Sequence, residues 1–205
     1  MMTFHKSFFP VLAVSALVLF SSCEAEKMAR IKGDNERDVV DVSGAGAATF
    51  ERLIDSTVSK LLEPYKGEFA ELKVRALAFV DLENRTSEEL GEWREQLIDK
   101  IEASVNDRRE FKAISIRFVS TVLKEMGNPP IDKLFLPKGR REFAKVMEQK
   151  STPVQYLMWG RLTRGVTRGV GKRQANYVLS LELINIKTGE QNKKITTVRK
   201  EFSGG

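Results

Sequence analysis

Covalent chemistry has few places to start in this chain. Of its 205 residues one is histidine, at position 5, and one is cysteine, at position 23. Ser-His-Asp and Cys-His nucleophile systems need an imidazole beside the nucleophile, and processing of the N-terminus would remove His5. Zinc centres built from His and Cys lack their ligands for the same reason. Carboxylates do occur close together, at Asp81 with Glu83 and at Glu88 with Glu89. General acid–base work requires one such carboxyl in a desolvating pocket, and a helix N-terminus accounts for Glu88 and Glu89 through its dipole. The sequence therefore reads as non-enzymatic, with no cofactor and no metal.

The remaining chemistry is that of cations. Lys and Arg number 34 against 28 Asp and Glu, a net charge of +6. Arg161, Arg164, Arg168, Lys172 and Arg173 are interleaved with Gly165, Gly169 and Gly171, and no acid occurs from 161 to 181. Residues 151–205 carry ten basic and three acidic side chains, whereas 23–150 sum to −2. This spacing predicts a flexible basic hairpin loop for an acidic partner surface or an anionic polymer. A solvated loop that aids solubility is the alternative. Arg85, at the end of a predicted strand, is a further candidate for contact. Nucleic acid would be the ordinary partner of such a patch, but the N-terminus argues for export.

Residues 1–22 read as an address. Lys6, with His5, precedes an apolar run from Phe8 to Phe20. A spanning helix needs ~20 apolar residues, so this run fits the core of a signal peptide instead. Phe20-Ser21-Ser22-Cys23 resembles the bacterial lipobox. That resemblance implies a diacylglyceryl group on the Cys23 thiol, cleavage before Cys23 and acylation of the new amino terminus. An ordinary secreted protein is the alternative, although a lone secreted thiol would be a liability. Two or more acyl chains anchor firmly. Glu24, where Asp would imply retention in the inner membrane, implies an outer-membrane lipoprotein facing the periplasm.

The elements that must position these residues follow. Residues 23–46 are charged and lack aromatic or periodic apolar residues, which predicts a lipidated tether spanning ~26 Å as a coil and ~80 Å extended. The folded domain is expected over 47–205. Phe50, Leu53, Ile54, Val58, Leu61 and Leu62 have helical spacing. Residues 73–80 read as a central strand, and 81–86 as the turn leaving it. Thr86 and Glu89 read as a capping box that starts a helix carrying Leu90, Trp93, Leu97, Ile98, Ile101 and Val105. A short strand at 111–115, helices bearing Val119 and Phe143, and β segments at 153–164, 174–187 and 191–202 complete the order α-β-α-β-α-α-β-β-β. Lys187-Thr188-Gly189-Glu190 reads as a tight turn. Trp93 and Trp159 are expected in the core. The fold class is α/β: one domain, with a mixed β-sheet of four to five strands packed by about four helices.

Two stretches carry a family resemblance: Phe79-Val80-Asp81-Leu82-Glu83-Asn84-Arg85-Thr86 entering a helix, and Val154-Gln155-Tyr156-Leu157-Met158-Trp159-Gly160 with Ile186-Lys187-Thr188-Gly189-Glu190 after it. With the lipobox, they resemble the LpoB family of outer-membrane lipoproteins over residues 70–202, and the layout is similar to TolB N-terminal and CsgG-like proteins. The resemblance implies a non-catalytic regulator, monomeric, that binds and activates a penicillin-binding protein, a bifunctional peptidoglycan synthase. Two features depart from the family: residues 24–63 hold no Pro where a Pro-rich linker is usual, and Gln191-Asn192-Lys193-Lys194 replaces an apolar stretch. A structural subunit of an envelope assembly, of CsgG-like secretion or Tol type, is the alternative function.

Overall fold

The computed structural model of the protein describes residues 29–31, 37–38, 45–66, 74–169 and 172–203. Two short strands, β1 (Ala29–Ile31) and β2 (Arg37–Asp38), precede helix α1 (Ala47–Leu62), which ends in a 3-10 turn at Glu63–Tyr65. Then come β3 (Arg75–Arg85), α2 (Trp93–Asn106), β4 (Phe111–Ile114), α3 (Ile116–Glu125), α4 (Ile131–Phe135) and α5 (Pro137–Gln149). The chain finishes with β5 (Tyr156–Gly169), β6 (Lys172–Asn185) and β7 (Gln191–Ser203). The sheet order is β2-β1-β7-β6-β5-β3-β4, with β3 parallel to β4 and β5 and the other pairs antiparallel.

Helices cover both faces of this mixed sheet. The apolar stripe of α1 lies buried, with Leu53, Val58 and Leu61 at most 1% exposed. Together with Leu97, Ile98 and Ile101 of α2 it packs on Leu77, Phe79, Met158, Tyr177 and Leu181. On the opposite face, Val119 and Val122 of α3, Leu134 of α4, and Phe143 and Met147 of α5 pack on Ala78, Val80, Leu157 and Ile184. Full burial of one such aliphatic or aromatic side chain stabilises the fold by about 1.5–3 kcal/mol. The four residues Leu77 to Val80 are all buried because β3 lies between β4 and β5 and under helices on both sides.

Several expectations are corrected. β3 does not turn at Asp81: its pairing with β5 continues from Asp81↔Trp159 to Arg85↔Thr163, past a bulge between Phe79 and Asp81. The bulge shifts the alternation by one residue. Leu82 therefore rejoins the α1–α2 core, and Asp81 and Glu83 face the other way with Trp159 and Arg161. No capping box forms. Asn84 Oδ1 accepts the Thr86 amide at 2.9 Å, Thr86 Oγ1 accepts the Glu88 amide at 3.1 Å, and α2 begins only at Trp93. In that first turn Trp93 is 41% exposed, touching Phe50 at the core's rim instead of entering it. The loop expected after Asn128 contains α4, which makes five α-helices among the described residues. Finally, β1 and β2 lie inside the segment expected to be only a tether, since β1 pairs with Lys200 to Phe202 of β7.

The tight turn is as expected. Gly189 has φ +79°, its amide bonds to Asn185 O at 2.8 Å, and a Cβ there would come within 2.6 Å of the Arg140 guanidinium on α5.

Glu102 of α2 accepts the Ile116 amide at 2.6 Å, holding the first turn of α3 against α2. Burial pushes this carboxyl above its usual range, with Asp99 adding to the rise. The folded state then binds the proton more tightly than the unfolded chain, so stability increases as pH falls through the folded pKa towards the unfolded value. Glu102→Gln keeps the acceptor oxygen and removes the titration. Chemical denaturation across pH 4.5–7 is expected to show the variant gaining stability relative to wild type at pH 7, with the gap narrowing on acidification.

Candidate partner interface

The basic segment is a β-hairpin and not a loop. β5 and β6 stay paired to Arg168↔Arg173 and Gly169↔Lys172, leaving two connecting residues outside those described. A period of two then separates the cations between the faces. Arg164 follows Leu162 onto the α1–α2 side. Its side chain is 6% exposed, Nη1 lies 2.7 Å from Glu88 Oε1, and its guanidinium sits 5.5 Å from the Tyr177 ring. Arg164 is thus an interior residue, which removes it from any docking surface. Arg173, half-buried, lies 5.8 Å over Phe202. Arg168 is exposed and forms no ion pair among the described residues. Lys172 is placed by register alone, opposite Gly169.

Arg161 takes the other face. Its Nε donates to Glu83 Oε2 at 2.7 Å and its guanidinium stacks 4.7 Å from the Trp159 ring, itself edge-on to Phe135. Arg85 donates to the second oxygen of Glu83, and Arg94 of α2 to Asp81. Glu182 and Lys193 continue the pattern at 3.6 Å. Helices α3–α5 stop short of this area, where Ile195 stands 56% exposed. The hydrogen bond from Arg161, then that from Arg85, holds the Glu83 carboxyl below its usual range. Exposed pairs of this kind contribute about 0–1 kcal/mol each. Their effect is positional: two guanidiniums share one carboxylate and are held on an open sheet face.

Glu88 was not identifiable as a hub from the sequence. Its Oε1 accepts from Tyr177 Oη at 2.6 Å and pairs with Arg164, and its Oε2 accepts the Ala45 amide at 3.3 Å. Asn84 Nδ2 donates to its carbonyl at 2.8 Å. One side chain thus ties the β3–α2 connection to β5, β6 and the entry to α1. Burial, with the neighbouring carboxylate, pushes the Tyr177 hydroxyl far above its usual range and keeps it a donor. The Asx-type turn at Asn84-Arg85-Thr86 was a local signal; nothing local links Glu88 to Arg164.

Cys23 lies outside the described residues. Among the described residues no helix is long and apolar enough to cross a membrane, and no three His, Cys, Asp or Glu converge. A groove of about 390 Å³ separates α2 from α3, with Arg94, Asp99, Arg117 and Lys124 around Ile98 and Ile116. Its walls carry both signs of charge.

A family model described as peptidoglycan-synthase activator LpoB matches residues 49–192, from the first turn of α1 to the start of β7. The chain belongs to the LpoB family. Among solved structures it is similar to the LpoB C-terminal domain from Salmonella enterica (19% identity, TM-score 0.42, covering 72% of this chain and 97% of that one). It is also similar to the NMR structure of Escherichia coli LpoB (15%, 0.48, 95% and 92%) and to lipoprotein GNA1162 from Neisseria meningitidis (11%, 0.44, 62% and 83%). No curated protein matches it in sequence. The LpoB family activates peptidoglycan synthases and acts as an accessory to them, not as the catalyst.

Removing the hub and removing a surface cation should differ sharply. Glu88→Ala leaves Arg164 buried without its carboxylate and is expected to cost about 3–5 kcal/mol. Arg168→Ala should stay within about 0.5 kcal/mol of wild type, as exposed unpaired positions do. Urea denaturation of the two variants measures both.

Proposed function

We propose that this protein is a non-catalytic lipoprotein of the cell envelope, acylated on Cys23 and anchored in the outer membrane facing the periplasm. In this reading its α/β domain binds, as a monomer, to a bifunctional penicillin-binding protein and activates it. The observation that carries the reading is the family match over residues 49–192, which coincides with the folded domain from α1 to β7.

Docking is assigned to Arg85 and Arg161 on the open sheet face, with Arg168 and Lys172 at the end of the hairpin. Arg161 is braced by Glu83 and Trp159, so less side-chain freedom is lost when it meets a partner. Arg164 and Arg173, placed inward, take no part. Exposed cations steer an acidic surface over about one Debye length, ~8 Å at physiological salt.

Charge reversal tests this assignment. Arg85→Glu with Arg168→Glu should slow association with the purified synthase about tenfold and flatten its dependence on salt, with little change in dissociation. Circular dichroism and melting check that the fold is kept. Association rates equal to wild type at two ionic strengths would remove these residues from the interface.

Anchoring is tested separately. Cys23→Ser should abolish acylation and leave unprocessed precursor or soluble protein in membrane fractionation. Intact mass of the mature wild-type chain is expected to show the lipid on Cys23, and a bare thiol there would defeat the lipoprotein reading.

A further inference from the structure

The edge of β7 is occupied unevenly. Against β6 it is paired at thirteen consecutive positions, from Lys172↔Ser203 to Ile184↔Gln191. On its other side, among the described residues, it meets only β1, at Ala29↔Phe202, Arg30↔Glu201 and Ile31↔Lys200. β1 in turn carries β2 at two positions, Ala29↔Asp38 and Arg30↔Arg37. A two-stranded ribbon of this length has little stability of its own and depends on the three positions β1 shares with β7 and on the seat of β2 against α1.

Among the described residues, Ala45 comes next, bonded to Glu88 directly before α1. Helix α1 is held in the core by its own buried stripe, so the fold from α1 onward does not rest on β1. Chain length then gives two reaches. From Cys23 to Ala29 the backbone can span ~20 Å, and from Cys23 to Ala45 ~75 Å.

We propose that β1 and β2 form a releasable clasp on the edge of β7 that sets how far the domain can stand from its membrane anchor. This rests on acylation of Cys23 as proposed above. Closed, the clasp keeps the domain near the anchoring membrane and covers the end of an exposed strand edge. Open, it hands the residues of the clasp to the tether. A partner held beyond the closed reach binds only the open form, and its binding free energy shifts the equilibrium towards release.

Hydrogen exchange on the soluble chain 24–205 (with Cys23 absent) tests the clasp without anchor or partner. Amides of Ala29–Ile31 should exchange at least about tenfold faster than the β6–β7 ladder. Equal protection would make β1 a permanent strand and overturn the proposal. A second experiment locks the clasp in full-length protein with Arg30→Cys and Glu201→Cys, which face each other in register. The locked protein should stimulate purified synthase as wild type does and yet fail in cells, with each single variant active in both. Full activity of the locked protein in cells would show that release is not used. If Cys23 proves unmodified, the anchor reading falls, while the exchange result still stands or falls by itself.

Discussion

β3 has to bury both faces at one end and only one at the other, and the rest of the fold adjusts to that. From Ala76 to Val80 it is apolar on every residue because helices press on it from both sides. Beyond Val80 only the α1–α2 layer continues. The bulge between Phe79 and Asp81 lies at this transition, returning Leu82 to the covered side and sending Asp81 and Glu83 to the uncovered one. The cause is geometric. β5 has 14 residues, a length of ~46 Å, whereas α5 with 13 residues is ~20 Å long. Helices connected like α3–α5 cannot cover strands of that length, so part of the sheet stays open to solvent.

The same division sorts the charges. Where the sheet is covered, cations need partners, and Arg164 has Glu88 with the Tyr177 hydroxyl beside it. Where it is open, Arg85 and Arg161 share Glu83 at the surface, and such exposed pairs add little to stability. The excess of base in the last quarter of the chain is therefore not one patch. It consists of inward cations, Arg164, Arg173 and the fully buried Lys200, and an outward set on the surface.

The helices and strands were legible wherever burial is periodic: the stripe of α1, the apolar run of β3 and the alternation of Tyr177, Leu179, Leu181 and Leu183 all lie where the spacing put them. The T-G-E turn was legible because Gly189 needs a positive φ. What could not be read was non-local. Thr86 and Glu89 have capping-box spacing, yet Asn84 captures the turn first and α2 starts a turn and a half later. Trp93 has the right phase for the core but falls at the helix's first turn, beyond the layer's edge. The five cations looked continuous along the chain because sequence order conceals which strand face each one takes, and only the pairing of Glu83 with Arg161 and Glu88 with Arg164 separates them. Membership of a family of synthase activators was legible from short motifs, whereas the strand pair within the expected tether had no periodic signal at all.

The parallel pairing of β3 with β5 also dictates an order of assembly. The Ala76 amide meets Gln155 at a sequence separation of 79, while β5, β6 and β7 meet their neighbours through short turns. Closing a long loop before its contacts exist is entropically unfavourable, and local hairpins form without that penalty. The C-terminal meander is thus the natural nucleus, and the central strand joins it late. A chain that emerges amino terminus first leaves β3 without its main partner until nearly all of the protein has been delivered. In the proposed export, the polypeptide accordingly stays open to chaperone capture until its final quarter brings β5 to β3.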